Sequence, residues 1–159
     1  MESARTGANS HQVGGTHYKT AYEHWDLVTD VGMGYLEGQA TKYIARWRKK
    51  DGFKDLQKAL HYINKLMEQS EKLLWRIQCL RTSLSHPIPA FAQANSYVLD
   101  FIHLNNLSQL EGAIFLKLAT WESRRDLEEA QLLLMNLMDE ADPTQLTPRT
   151  DSNKHAERN

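Results

Sequence analysis

The feature that most constrains this chain is a long stretch, beginning near Phe53, in which apolar residues recur at helical spacing over many turns. No segment alternates polar and apolar residues with period two for long enough to form a strand. The sequence therefore predicts an all-α fold whose longest helix follows a tight turn at Asp51-Gly52. The apolar positions of that helix are Leu56, Ala59, Leu60, Ile63, Leu66, Met67, Leu74, Ile77 and Leu80.

Shorter helices are predicted on both sides of the long one. Their apolar spacing places them at residues 22–31, 35–50, 91–104, 107–123 and 125–138. Gly32 and Gly34 separate the first two, and Asn105-Asn106 ends the helix that begins at residue 91. These punctuation residues favour turns because they tolerate backbone conformations that a helix excludes.

The composition is that of an ordinary globular protein, with 41% hydrophobic residues, 25% charged residues and a net charge of -1. Such a balance gives no general attraction to nucleic acid or to membranes. The single cysteine, Cys79, excludes an intramolecular disulfide and a Cys-cluster metal site, and it fits a reducing compartment. Because no apolar run reaches membrane-spanning length and no signal core is evident, we expect a cytoplasmic protein without a membrane partner.

A cationic strip marks the helix predicted at residues 35–50. On a helical projection, Gly38, Lys42, Arg46 and Lys49 fall within a sector of roughly 80°, opposite an apolar face. Stacked cations repel one another unless an anion lies across them, and a glycine lets a ligand approach the backbone closely. The strip therefore predicts a binding site for a phosphorylated ligand. The alternative interpretation is a solvated helix face with no ligand.

The chain also repeats itself with an offset of 74 residues, which shortens to 71 after the turn. Matches that include glycine, tryptophan and aspartate pair Leu36-Glu37-Gly38 with Leu110-Glu111-Gly112, Trp47 with Trp121, and Asp55-Leu56 with Asp126-Leu127. We predict two tandem, degenerate three-helix repeats packed as a helical bundle. The alternative is chance similarity among amphipathic helices.

The second repeat keeps the scaffold but loses the cations of the first. Positions that are polar in the first repeat change as follows: Lys42 to Leu116, Arg46 to Thr120, Lys49 to Ser123, Lys58 to Glu129 and Tyr62 to Leu133. We interpret the first repeat as the one that binds a ligand. The second repeat then packs, against the first or against another subunit.

Five segments follow from these patterns. They are a disordered lead-in at residues 1–16, a binding unit at 17–82, a Pro-containing linker at 83–90, a degenerate unit at 91–140 and a disordered tail at 141–159. Long amphipathic helices in a small chain also predict a homo-oligomer.

Further candidate residues surround the strip. On the long helix, Asp55, Lys58 and Tyr62 fall within roughly 60° of one another. Asp55 lies in the first turn, where the helix dipole favours a carboxylate, so a capping role with a salt bridge to Arg46 competes with a direct role at the ligand. Arg46 can grip two phosphate oxygens, while Lys42 acts as a mobile point charge. No phosphate loop, dinucleotide fingerprint or metal-ligand cluster is evident, so we expect no metal.

These residues resemble a known family. The elements Gly15-x-His17-Tyr18, Gly38-x-x-x-Lys42-Tyr43-x-x-Arg46-x-x-Lys49-Lys50 and Asp55-Leu56-x-Lys58-Ala59-x-x-Tyr62 are similar to the small phage-encoded SaV-like domain. That domain is often described as a nucleotide kinase, and the similarity covers about residues 13–68. The resemblance implies a phage protein that acts in the host cytoplasm on a nucleotide ligand. His17 and Tyr18 are then candidates for contacts to the base or a hydroxyl.

Three functions remain open at this point. The first is a nucleoside monophosphate kinase-like role in nucleotide metabolism, with ATP as the candidate phosphoryl donor, since phosphoryl transfer asks mainly for positioning and charge neutralisation. The second is non-catalytic sequestration of a host immune signalling nucleotide, an anti-defence role. The third is an adaptor whose basic strip meets an acidic protein partner.

Overall fold

In the computed structural model, the described residues are 7–10, 20–83 and 91–142. They form six α-helices and no strand, which confirms the predicted all-α fold. The helices are α1 (His24–Val31), α2 (Tyr35–Arg46), α3 (Phe53–Ser83), α4 (Phe91–Leu104), α5 (Gln109–Ala119) and α6 (Arg124–Ala141). Short 3-10 turns lie at Gly7–Ser10 and Trp47–Lys49.

The observed helix ends differ from the predicted ones where caps intervene. α2 ends at Arg46 because the chain tightens into the 3-10 turn at Trp47–Lys49 before Gly52, whose φ of 56° belongs to the left-handed region. α5 is shorter than predicted because Ser108 and Ser123 both adopt extended backbone and form capping boxes at the starts of α5 and α6.

The predicted lead-in and tail are covered only in part. Gly7–Ser10 form a 3-10 turn, in which Asn9 accepts a hydrogen bond from Trp25 Nε1 at 2.7 Å. α6 continues to Ala141, the first residue of the predicted tail. The remainder of both segments, and residues 84–90 of the predicted linker, lie outside the described residues.

The six helices form two related three-helix units, α1–α3 and α4–α6. Each helix packs against its own counterpart, α1 on α4, α2 on α5 and α3 on α6, as in a symmetric dimer. The shared core uses equivalent positions that are buried in both units: Leu27 and Phe101, Ile44 and Leu118, Leu56 and Leu127, and Ile63 and Leu134. The predicted tandem repeat packed as a bundle is therefore confirmed.

The turns between the first and second helix of each unit also correspond. Gly32 and Asn106, which are 74 positions apart, both adopt the left-handed conformation, with φ of 73° and 54°. In each turn the next amide donates to the carbonyl five residues back, at 3.0 Å. Glycine and asparagine are the residues that tolerate this helix-ending conformation best, so both units stop their first helix in the same way.

A reciprocal pair of hydrogen bonds joins the two units. Trp47 Nε1 donates to Glu111 Oε1 at 2.5 Å, and Trp121 Nε1 donates to Glu37 Oε1 at 2.9 Å. The two tryptophans are equivalent in the repeat, and so are the two glutamates. In each unit the tryptophan donates to the glutamate of the other unit. Such reciprocal contacts are typical of a two-fold symmetric interface, here within one chain.

Candidate functional site

A cavity of about 470 Å³ opens between α1 and α2. Gly38, Lys42 and Arg46 of the predicted strip line it, and their spacing of four residues places them on successive turns of α2. Lys42 is half-buried, whereas Gly38 and Arg46 are buried. These three residues of the strip therefore line a concave surface.

Besides α2, helices α1 and α4 supply residues to the cavity wall. α1 contributes His24 and Trp25, and Trp25 is 48% exposed at the rim. α4 contributes Phe101, and Asn105 lies just beyond the end of that helix. These last two residues belong to the second unit. The sequence interpretation, in which the second unit only packs, is therefore incomplete, because that unit also forms part of the cavity wall.

Arg46 is held by a buried ion pair at the inner end of the strip. Its Nε donates to Asp55 Oδ2 at 3.1 Å and its Nη2 donates to Asp55 Oδ1 at 3.3 Å. Asp55 is fully buried and also accepts from Lys58 Nζ at 2.9 Å, while the same ammonium reaches Asp51 at 2.9 Å. The salt bridge considered for Asp55 on sequence grounds is thus present, and it fixes the orientation of the guanidinium beside the cavity.

Lys58 and Tyr62 group around Tyr43 instead of lining the cavity. The Tyr43 ring lies 4.7 Å from the Arg46 guanidinium carbon and 5.2 Å from Lys58 Nζ, distances that suit cation–π contacts. Tyr62 stacks on the same ring with centroids 5.8 Å apart. A hydrogen bond with Tyr35 and burial raise the pKa of Tyr62. Tyr35 lines the cavity and meets Tyr62 edge-on with ring centroids 6.2 Å apart, so this aromatic cluster adjoins the site.

Lys49 does not line the cavity. It is exposed and lies in the 3-10 turn at Trp47–Lys49. The helical projection assumed 100° per residue, whereas a 3-10 turn advances about 120° per residue. Lys49 therefore does not fall on the face that carries Gly38, Lys42 and Arg46. His17 and Tyr18 lie outside the described residues.

Gly38 also faces Val28 of α1, in addition to its place in the wall. A Cβ atom at this position would lie 3.5 Å from Val28 Cγ2, which is ordinary van der Waals contact. At the equivalent Gly112, a Cβ atom would lie 3.1 Å from Ile102 Cγ2. The close approach of the first and second helices therefore favours glycine at Gly112, whereas the position of Gly38 has room for a methyl group.

His24 is a cavity residue that the sequence reasoning missed. Its Nε2 lies 2.9 Å from Thr41 Oγ1, and its ring meets Phe101 and Phe115 edge-on. Burial and the nearby positive charge of Lys42 lower its pKa to about 4, so the imidazole is neutral near pH 7. The signal that would have found it is the repeat itself, because the position equivalent to His24 is Val98.

Neither a metal-binding cluster nor a membrane-spanning helix is found among the described residues. Among the described residues, no cluster of three or more His, Cys, Asp or Glu side chains could hold a metal ion. No helix in the same part of the chain is long and apolar enough to cross a membrane.

Fold and site together define an all-α bundle of two related units, with a cavity that both units line and whose two cationic side chains, Lys42 and Arg46, come from the first. A model of a protein family of unknown function, DUF3310, matches residues 14–64, about a third of the chain. The match includes α1, α2 and the first part of α3, the elements that supply the cationic wall and its ion pair. No curated protein and no solved structure matches the chain.

Proposed function

We propose that this protein binds a nucleotide in the cavity between α1 and α2. The observation that carries the proposal is that Gly38, Lys42 and Arg46 line a cavity of about 470 Å³. That volume lies within the range of roughly 300–1,000 Å³ typical of small-molecule sites. Lys42 supplies a flexible ammonium for a phosphate, and the guanidinium of Arg46, which Asp55 holds in place, lies along the same wall.

The aromatic and apolar walls suit the rest of a nucleotide. Trp25 offers a partly exposed indole face at the rim, and base–aromatic stacking tolerates any of the bases. Phe101 lines the cavity from the second unit. A ligand with one anionic end and one flat aromatic end matches this division of the lining.

The second unit serves as an internal comparison. Leu116 and Thr120 replace Lys42 and Arg46, although the helices that carry them are retained. The second unit therefore forms these helices without cations at either position. Because Arg46 also belongs to the buried ion pair with Asp55, the comparison supports a ligand-binding role for Lys42 more directly than for Arg46.

For the use of the nucleotide, we propose a monophosphate kinase-like role in phage nucleotide metabolism. The resemblance of residues 13–68 to the SaV-like domain supports this role. The second candidate is sequestration of a signalling nucleotide without turnover. One observation favours it: a kinase must hold a donor and an acceptor together, whereas the volume of about 470 Å³ suits a single ligand.

Replacement of Lys42 by alanine is expected to weaken nucleotide binding about tenfold or more, because a charge-assisted bond to phosphate contributes about 1.5–3 kcal/mol. A thermal-shift screen against nucleotides measures this. A nucleotide present at about 100 times its Kd stabilises the wild type by about 2.7 kcal/mol, which is a shift of several degrees.

The matched control for that experiment is Lys49→Ala. It removes the same charge a short distance along the chain, but from an exposed residue outside the cavity lining. The control is expected to bind like the wild type. Equal loss in the two variants would mean that general electrostatics, and not the cavity, attracts the ligand.

Turnover is tested separately by incubating ATP with a panel of nucleoside monophosphates. Product that forms with the wild type and is lost with Lys42→Ala supports the kinase-like role. Tight binding of a nucleotide without product supports sequestration. If no nucleotide stabilises the wild type, both candidates are wrong and a protein-partner role for the strip becomes the working hypothesis.

Replacement of Gly38 by alanine tests how closely the ligand approaches α2. The methyl group fits at 3.5 Å from Val28, and alanine favours a helix interior over glycine by about 1 kcal/mol, so the unliganded variant is expected to be at least as stable as wild type. Nucleotide affinity is nevertheless expected to fall, because the methyl group occupies the wall beside Lys42. Isothermal titration together with thermal melting separates the two effects, and unchanged affinity would show that the ligand does not contact this turn.

A further inference from the structure

We propose that His24 recognises the ligand through Nδ1, which Thr41 holds as a hydrogen-bond acceptor by fixing the tautomer of the ring. The inference rests on the proposed nucleotide function. It specifies the ligand group that His24 binds, which is an N–H or O–H donor on the base or the sugar. His24 is then a specificity-determining residue, and Thr41 is a positioning residue that acts through it.

The tautomer follows from the hydrogen bonds of Thr41. Its hydroxyl oxygen lies 2.8 Å from the Glu37 carbonyl oxygen, 3.3 Å from the Gly38 carbonyl oxygen and 3.8 Å from Met33 Sδ. All three neighbours can only accept, and the Glu37 carbonyl oxygen, the nearest of them, takes the single hydroxyl hydrogen. We therefore assign the ring as the donor in the 2.9 Å contact between His24 Nε2 and Thr41 Oγ1.

A neutral imidazole carries one N–H, so a ring that donates from Nε2 has a bare lone pair on Nδ1. The burial that lowers the pKa of His24 to about 4 keeps the ring in this neutral form near pH 7. Because Nε2 is directed to the fully buried Thr41, the edge of the ring that carries Nδ1 is the one left for the cavity that His24 lines.

The second unit shows that the fold does not need this pair of residues. Val98 occupies the position of His24 and Phe115 occupies that of Thr41, and both are fully buried. An apolar pair therefore satisfies the packing between the first and second helices. In the first unit a polar pair stands where the second unit has an apolar one, and this difference lies beside the cavity. Such a difference is expected when one residue of the pair binds a ligand.

The test uses the full-length protein and two substitutions at His24. His24→Asn keeps an acceptor near the position of Nδ1, whereas His24→Val removes it and installs the residue found in the second unit. With adenosine, guanosine, cytidine and thymidine monophosphates as probes, His24→Val is expected to lose about tenfold in affinity for the nucleotide that wild type prefers. His24→Asn is expected to stay within about threefold of wild type.

Nitrogen-15 NMR of the histidine rings provides a readout that a purely structural role would not move. The His24 signals, assigned by their loss in His24→Asn, are expected to show a protonated Nε2 and a bare Nδ1, with the Nδ1 signal moving when nucleotide is added. In Thr41→Val the preference for one tautomer is expected to be reduced. This arm remains decisive if His24→Val fails to fold.

The outcomes separate the two proposals. If wild type binds no nucleotide of the thermal-shift screen, the proposed function and the ligand role of His24 both fail. If wild type binds but His24→Val binds equally well, or if Nδ1 carries the proton, only the role of His24 is overturned.

Discussion

Replacement of Asp55 by alanine is expected to lower the free energy of unfolding by about 3–5 kcal/mol, because it removes one partner of a buried ion pair. The carboxylate is fully buried and accepts from Arg46 Nε at 3.1 Å and from Lys58 Nζ at 2.9 Å. Without it, the guanidinium of Arg46, which is 8% exposed, stays in the protein interior and loses this counter-charge. Urea denaturation followed by circular dichroism measures the change.

The repeat supplies the control for that experiment. Asp126 is the equivalent carboxylate in the second unit, but it is only partly buried and closes the capping box of α6 by accepting from the amide of Ser123 at 3.0 Å. Asp126→Ala is expected to cost about 1 kcal/mol, because it removes the N3 side chain of the capping box and its hydrogen bond from Ser123. Similar losses at both positions would show that Asp55 acts as a helix cap and not as the anchor of Arg46.

Acidification is expected to destabilise the protein through His24. The unfolded chain takes up a proton there below about pH 6.5, whereas the folded chain does so only near pH 4. Between these values the unfolded state binds more protons, so the free energy of unfolding falls as the pH is lowered. The contribution is fully present above about pH 6.5, and a shift of this size corresponds to about 3 kcal/mol lost by pH 4.

Wild type and His24→Val are compared by urea denaturation across that pH range. The variant cannot take up this proton, so its stability is expected to fall less steeply, and other titrating groups cancel in the difference between the two proteins. Parallel pH profiles would contradict a buried, neutral His24 and would also weaken the tautomer argument made for it.

Local sequence patterns predicted the helices well. α4 has the predicted bounds, and α3 begins at the predicted residue, because helical spacing of apolar side chains and turn residues act within a few positions of one another. α2 and α5 end earlier than their apolar spacing suggests, α2 because the chain tightens into a 3-10 turn and α5 because the chain turns before the capping box of α6. A cap depends on one side chain and one backbone angle, which the apolar pattern does not report.

The candidate site was predicted in part. Helical phase placed Gly38, Lys42 and Arg46 on one face, and the structure places all three along one cavity. The same phase failed for Lys49, where the helix tightens into a 3-10 turn. Lys58 belongs instead to the ion-pair cluster behind the wall, because its reach to Asp51 and Asp55 depends on how α3 approaches α2.

By itself, the sequence determined the all-α class, the duplication and the face of α2 that carries the cations. Each of these depends on the spacing of residues along the chain, and none depends on how the helices pack against one another. Only the tertiary structure decided that His24 meets Thr41, that Phe101 and Asn105 of the second unit close the cavity, and that the units exchange Trp–Glu hydrogen bonds. These contacts join different helices, up to 84 residues apart, so they depend on how helices dock and not on any local periodicity.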